Sequence, residues 1–470
     1  MKKLSAIAVL SLFFFVAGGY AQALSLNDYL KLVAKNNLTL KSINANIISL
    51  NGQIAAVDRA YSAVLNANAA YSHDGSKSNM QLPVDINTTA YDASISKLFV
   101  TGTTLALGFN NSIVSIDNPA VDERNIISPY IQVQQSLLKN FNGAATKANI
   151  EQARATIRQT LYQLEQSRRQ ILTSAKLAYF NLSYAKTLVE YRKTSLGRSN
   201  RVYEWMQNRY RLDLAEKADY LQSQAAVKNG ELNLQSAQGN EVQKRAVFNQ
   251  LINEDESVNH EIADFIEITD QYVKDRKLSK TGIRLDVLAA SEAVKAANFN
   301  RQYSKANAGA DLSLIGQYGL GGLDTTFSNS LRQVTSAEKP SYSIGLKYSL
   351  PLDFSLRKTM DEGYEAAAIS KQRALEAAIL QEKTDWQQAL YNWENALLRF
   401  KLSREVRDLL VQYDEENHKL LRRGRTTTNN VIQGEQSLDD AQVGIYTTVI
   451  ELMTVYENAV ADYTNKIINE

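Results

Sequence analysis

Residues Ile157 to Val189, IRQTLYQLEQSRRQILTSAKLAYFNLSYAKTLV, decide the fold. Ile157, Leu161, Leu164, Ile171, Ala175, Ala178, Leu182, Ala185 and Val189 follow alternating steps of four and three, with Arg168 in the single polar slot. A period of 3.5 residues is the signature of a coiled-coil seam, narrower than the apolar stripe of an ordinary core helix. The remaining faces are polar and Ala-rich, and their charged positions read as solvated. A helix wetted on two sides and packed along its flanks carries this pattern, as in the wall of a water-filled tube.

The series continues outward through Leu196, Tyr203, Met206 and Tyr210 and breaks at Arg211-Leu212-Asp213-Leu214, where the short polar Asp213 suits a turn. A returning helix then reaches about Leu251. Trp386, Leu390, Trp393, Leu397 and Phe400 repeat the step in the second half, Leu410, Tyr413 and Leu420 resume it, and Gly424 ends it. Glycine followed by Thr426, Thr427, Thr428, Asn429 and Asn430 is a helix end followed by fresh N-cap residues. Helix resumes to about Ile468. The tryptophans at this spacing read as packing groups, not as a cofactor box. Composition permits such lengths: the 470 residues hold 5 prolines, at positions 83, 119, 129, 340 and 351, and none interrupts the long helical tracts.

Between the helices lie alternating segments. In Ser341–Leu350, Tyr342, Ile344, Leu346, Tyr348 and Leu350 point one way, and serines, Gly345 and Lys347 point the other. Ala308–Tyr318 alternates likewise, joined to it by a Gly-rich and polar connection through Lys339. Four further runs fall at about 62–72, 89–99, 103–114 and 129–138, with Thr101-Gly102 as a hairpin turn or a bulge. Ten residues apolar on one face suit a membrane β-strand and equally a half-buried soluble strand. No stretch is long and apolar enough for a transmembrane helix. The number of first-half runs that cross a membrane stays open. Two or four strands per half cannot close a barrel in one chain, and lipid does not tolerate an open edge, so a membrane reading requires oligomers.

Lys2 and Lys3, the apolar run Leu4–Val16 and the small residues up to Ala23 form an export signal over 1–23. Cleavage removes two lysines and no acid, cancelling the +2 charge of the full chain. A balanced charge argues against nucleic acid as partner. With no cysteine and 3 scattered histidines, thiolate chemistry and a histidine-rich metal site are not expected. No G-x-S-x-G, HExxH or phosphate-loop context occurs, so no catalytic, cofactor or metal residues are assigned and no enzyme is expected.

Shifting the chain by 211 residues lays Arg211, Leu221, Gln222 and Gln224 on Arg422, Ile432, Gln433 and Glu435. The layout of short helix, strands, long helix, turn and return helix recurs, giving a first repeat over 24–252, a connecting segment over 253–281 and a second repeat over 282–470. In each repeat two shorter helices add up to about the length of the long one.

Taken together, the chain resembles the TolC family of outer-membrane efflux proteins over about 24–468. Its local marks are Leu24-Ser25-Leu26-Asn27-Asp28 with Asn36-Asn37-Leu38-Thr39-Leu40, Gln135-Ser136-Leu137-Leu138, Ile283-Arg284-Leu285-Asp286, Ser349-Leu350-Pro351-Leu352, and the tip Arg422-Arg423-Gly424-Arg425-Thr426. The resemblance implies an α+β membrane protein: a homotrimer whose strands form one 12-stranded barrel in outer-membrane lipid, continued by a periplasmic α-helical coiled-coil barrel. It implies a passive duct for drugs, toxic compounds or secreted proteins, fed by an inner-membrane pump through a periplasmic adaptor. Adaptor docking would fall on Arg211, Leu212, Asp213, Leu214, Arg422, Arg423 and Gly424. Gate candidates are Asp219, which matches a family aspartate paired with a basic tip residue (Arg425 being nearest here), and Asn430 and Gln433, which stand where the family often has a ring of acids. Two amides there imply weak cation block, or an acid ring built elsewhere. The competing expectation is a periplasmic or surface coiled-coil interaction protein without a channel.

Overall fold

The structure, a computed structural model, describes residues 23–75, 85–116, 123–266, 269, 272, 276–337 and 339–463. Nearly all of the expected export signal lies outside them. Contacts divide the chain into two compact units, one of residues up to 42, 168–281 and 386 onward, the other of 43–167 and 282–385.

The elements are α1 (Leu26–Asn36), α2 (Leu38–Arg59), β1 (Val64–Asp74), β2 (Ile86–Leu98), β3 (Thr103–Ile116), β4 (Arg124–Ser136), α3 (Ala144–Arg211), α4 (Lys217–Leu251), α5 (Leu285–Asn307), β5 (Asp311–Leu320), β6 (Gly322–Asp324), α6 (Phe327–Ser336), β7 (Pro340–Ser349), α7 (Phe354–Arg422) and α8 (Thr428–Tyr463). The two longest helices have 68 and 69 residues and their return helices 35 and 36. The short helix expected to open the first repeat is two helices. Asn37 has extended backbone and its Oδ1 accepts from the amide of Leu40, while its Nδ2 donates to the carbonyl of Leu251. One asparagine thus caps a helix start and pins the break to α4.

In the first unit, Ala175, Ala178, Leu182 and Ala185 of the 3.5-residue seam are buried, but so are Leu172, Tyr179, Phe180 and Leu188. The stripe is wider than a coiled-coil seam because α3 packs on two sides. Toward α1 and α4, Tyr179 meets Tyr29, whose ring stacks on Phe248 at 3.9 Å. Toward the connecting segment, Phe180 meets Tyr272 edge-on at 5.5 Å. The expectation that charged positions are solvated fails here. Glu457 of α8 is buried, accepting from Lys176 Nζ and Tyr272 Oη at 2.7 Å each, with Arg276 at 3.5 Å. A buried carboxylate is retained only when its charge is matched in this way. Trp393, Ala396 and Leu452 form a further core with Leu397 and Tyr456, so Trp393 is a packing residue.

The second unit holds one antiparallel sheet of order β1-β2-β3-β4-β5-β7, with β6 extending the β4 pairing. Strand boundaries follow the alternating runs. Thr101-Gly102 is the hairpin turn between β2 and β3, with Gly102 at φ +77°. The turn seats against the entry to α3: a Cβ on Gly143, itself at φ +72°, would meet the Val100 carbonyl at 1.6 Å. The connection before β7 is not a loop. It contains α6, capped by Thr326 and held by Ser330 Oγ donating to the carbonyl of Asn125.

Cross-strand register sorts the sheet into two faces. One rung runs Leu65, Ile95, Leu107, Ile131, Tyr318, Tyr342, and all six side chains are exposed. The next rung, on the opposite face, runs Asn66, Ser94, Gly108, Tyr130, Gly319, Ser341. The ends of the path are β1 and β7, exposed along their whole lengths.

Candidate gate and docking tips

Both helix turns lie in the first unit and have the same backbone bonding. At the first, the amides of Leu212, Asp213 and Leu214 donate to the carbonyls of Arg209, Tyr210 and Arg209. At the second, Arg423, Gly424 and Arg425 donate to Leu420, Leu421 and Leu420, each position 211 residues on. This crossed pair of bonds is the Schellman closure of a helix C-terminus, which needs a left-handed residue just past the end. Asp213 takes it at φ +54° and Gly424 at φ +67°. Aspartate therefore takes at the first tip the place that glycine takes at the second, since its short side chain tolerates that region.

The tips differ in chemistry. The first exposes Leu212 and Leu214, while Arg209 folds back over the Trp205 ring at 4.8 Å and donates to the carbonyl of Leu214. Arg211 bonds its neighbour Asn208. At the second tip, Arg422, Arg423, Gly424 and Arg425 are all exposed. The first tip thus shows two leucines beside the exposed Arg211 and Asp213, and the second shows three arginines.

Behind the turns the helices are joined by packing. Val202, Leu421 and Val431 are buried together, with Trp205 and Ile432 against them. Tyr210 stacks on Tyr220 at 5.0 Å, and the Tyr203 and Tyr220 hydroxyls lie 3.2 Å apart. Gln222 donates to Asn429. Of the gate candidates, Asn430 and Gln433 are exposed, and Asn430 Nδ2 donates to Thr426 Oγ1 at 3.2 Å. Asp219 sits in the first turn of α4, where a carboxylate favours the helix dipole. It forms no ion pair with Arg425 within this chain. The uncharged Asn430 and Gln433 are thus presented to solvent, and Asp219 and Arg425 make no direct ion pair with each other.

The acids near the tips are gathered elsewhere. Asp439 of α8 accepts from Tyr191 Oη and Arg198 Nη2 at 2.7 Å, Ser195 Oγ at 2.5 Å and Arg192 Nη1 at 3.1 Å. One turn earlier on α8, Glu435 lies 3.1 Å from His418 Nε2, which is also 3.7 Å from Asp414. Burial raises the carboxyls of Asp414 and Glu435 above their ordinary values, with the positive charges of His418 and Arg198 opposing it. This network ties α3, α7 and α8 together. Sequence reading missed it, although the spacings Asp414/His418 and Glu435/Asp439 each place two ionisable groups on one helix face. These acids are buried against cations, so they are not available as an exposed ring. Among the described residues no group of three His, Asp or Glu side chains is arranged to hold a metal ion.

No protein-family model matches the sequence, and no curated protein does. Solved structures do match in fold. The open-state MtrE outer-membrane channel of Neisseria gonorrhoeae is 15% identical, covering 93% of this chain and 89% of its own, with a TM-score of 0.65. The outer membrane protein VceC of Vibrio cholerae is 16% identical over 93% and 96%, with a TM-score of 0.62. The CmeC outer membrane channel of Campylobacter jejuni is 12% identical over 93% and 84%, also at 0.62. At this identity the likeness concerns architecture, and it extends over nearly the whole of each chain. The protein has the fold of the TolC family of outer-membrane channels.

Proposed function

We propose that this protein is a passive outer-membrane export channel, working as a homotrimer and without catalytic activity. The observation that carries the reading is the apolar rung of Leu65, Ile95, Leu107, Ile131, Tyr318 and Tyr342, exposed across every strand of the main path. A soluble sheet buries such a face, and lipid is the solvent that accepts it. The unpaired edges of β1 and β7 need partners in lipid, which other copies of the chain supply.

In this reading the signal over 1–23 directs export, the strands of the sheet enter the outer membrane and the long helices belong to the periplasm. The two repeats descend from one duplicated unit. The tips Arg211–Leu214 and Arg422–Gly424 dock a periplasmic adaptor, through which an inner-membrane pump delivers drugs, toxic compounds or secreted proteins. Asn430 and Gln433 line the gate as amides, and Asp219 and Arg425 meet between neighbouring copies. Membrane fractionation tests the core of this. The protein is expected to stay with outer membranes through a carbonate wash at pH 11. Release into the wash places it in the periplasm as a coiled-coil interaction protein and removes the channel reading.

A further inference from the structure

The sheet holds more full-length strands than the resemblance to the TolC family leads one to expect. A 12-stranded trimeric barrel takes four strands from each chain, whereas β1, β2, β3, β4, β5 and β7 form an unbroken antiparallel path of six. The question is whether the β2–β3 hairpin stands in the barrel wall or folds away from it, into the lumen or clear of the membrane. Three features bear on this.

The first is height. Leu98 pairs with Thr104, Thr103 with Gln135, Ser136 with Ser313 and Asp311 with Ser349, so the lower ends of β2 through β7 lie at one rim. With 13 and 14 residues, β2 and β3 exceed the ~9–11 that a tilted strand needs to cross lipid. The second is polarity. Ile95 and Leu107 stand in the exposed apolar rung between Leu65 and Ile131, while Ser94 and Gly108 stand in the polar rung behind it. A lumenal plug would turn polar groups to both sides. The third is closure. Six alternating strands leave β7 antiparallel to β1 of a neighbouring copy, so the ladder continues in the same sense around a ring, and the two edges are of nearly equal length at 10 and 11 residues.

We infer that each chain contributes six strands to the wall, that the occupant of both sheet edges is a second copy of this chain, and that three copies close an eighteen-stranded barrel. This rests on the trimeric membrane reading above. With strands about 4.8 Å apart and tilted by about 40°, eighteen strands give a backbone diameter of about 36 Å, against about 24 Å for twelve. The wider wall accommodates bulkier cargo at the outer-membrane end.

Single-cysteine labelling tests this directly, since the chain has no cysteine of its own. Leu107→Cys on β3 and Leu346→Cys on β7 are each labelled with an environment-sensitive fluorophore in the full-length protein reconstituted into phosphatidylcholine vesicles. Quenching is measured with a nitroxide on the lipid chains and, separately, with aqueous iodide. Both sites are expected to lose most of their fluorescence to the lipid nitroxide and little to iodide. Quenching by lipid at Leu346→Cys but not at Leu107→Cys overturns the six-strand wall and leaves the membrane reading intact. Lipid quenching at neither site overturns the membrane reading itself. Ile95→Cys on β2 repeats the hairpin measurement should Leu107→Cys fail to assemble.

Discussion

Replacing Asp439 by asparagine removes the charge at the centre of the network that joins α3 to α8. The side chain is 13% exposed and accepts from Tyr191, Arg192, Ser195 and Arg198. The amide keeps one acceptor oxygen and the shape, but leaves Arg192 and Arg198 (14% and 20% exposed) facing no negative charge from α8 at that position. Breaking a buried ion pair from one side costs about 3–5 kcal/mol, and the residual solvent access of both guanidiniums places this case near the lower end, at about 3. That is a factor of about 100 in the equilibrium for separating the two helices. Hydrogen–deuterium exchange in the detergent-solubilised protein reads it, as faster exchange by about two orders of magnitude in peptides covering 191–202 of α3 and 435–446 of α8. Asp440, next in sequence and exposed, is the control, and Asp440→Asn is expected to change protection by less than about 0.5 kcal/mol. Equal effects of Asp439→Asn and Asp440→Asn would refute the argument that burial and four donors make Asp439 the anchor.

The Glu435 and Asp414 carboxyls are raised by burial, so their contribution to stability is present in acid and is lost as pH rises through the raised values. The thermal midpoint of Glu435→Gln should accordingly gain on wild type between about pH 4 and neutrality, and a parallel pair of curves would exclude the buried acid as the cause. Gly424→Ala places a side chain at φ +67° with nothing within 4 Å of its Cβ, so it tests backbone strain alone. It should destabilise the second tip by about 1 kcal/mol, read by exchange in 420–430, whereas Asp213→Gly should relieve the first tip by a similar or smaller amount. If Asn430 faces the gate, wild-type current should resist millimolar magnesium, and Asn430→Asp should make it blockable. Magnesium without effect on that variant would remove Asn430 from the gate.

Much of this architecture is legible in the amino-acid sequence alone. The seam from Ile157 to Val189 announces α3, and Asp213 and Gly424 mark the two helix ends because left-handed closure favours such residues. The alternation of Tyr342, Ile344, Leu346 and Tyr348 marks β7. What was hidden has physical reasons. Phe327, Leu331 and Val334 have helical spacing, but α6 spans only three turns amid Gly, Ser and Asn, so its signal is weak beside theirs. Asn37 breaks a continuous helical pattern through a bond to Leu251, a partner 214 residues away. Charges on Asp439, Glu457 and Arg198 look like solvated positions in a list of helical residues. Only the packing shows Asp439 matched by Arg192 and Arg198, and Glu457 by Lys176 and Arg276, away from water.

The central claim, an open path through three copies of this chain across the outer membrane, is tested most directly by planar-bilayer recording of the mature protein. Discrete, voltage-tolerant openings are expected from the trimer, with current that falls when an adaptor-sized protein is cross-linked at the basic tip residues Arg422 and Arg423. Mature trimer that inserts into bilayers and never conducts, under any salt or pH tried, would contradict it.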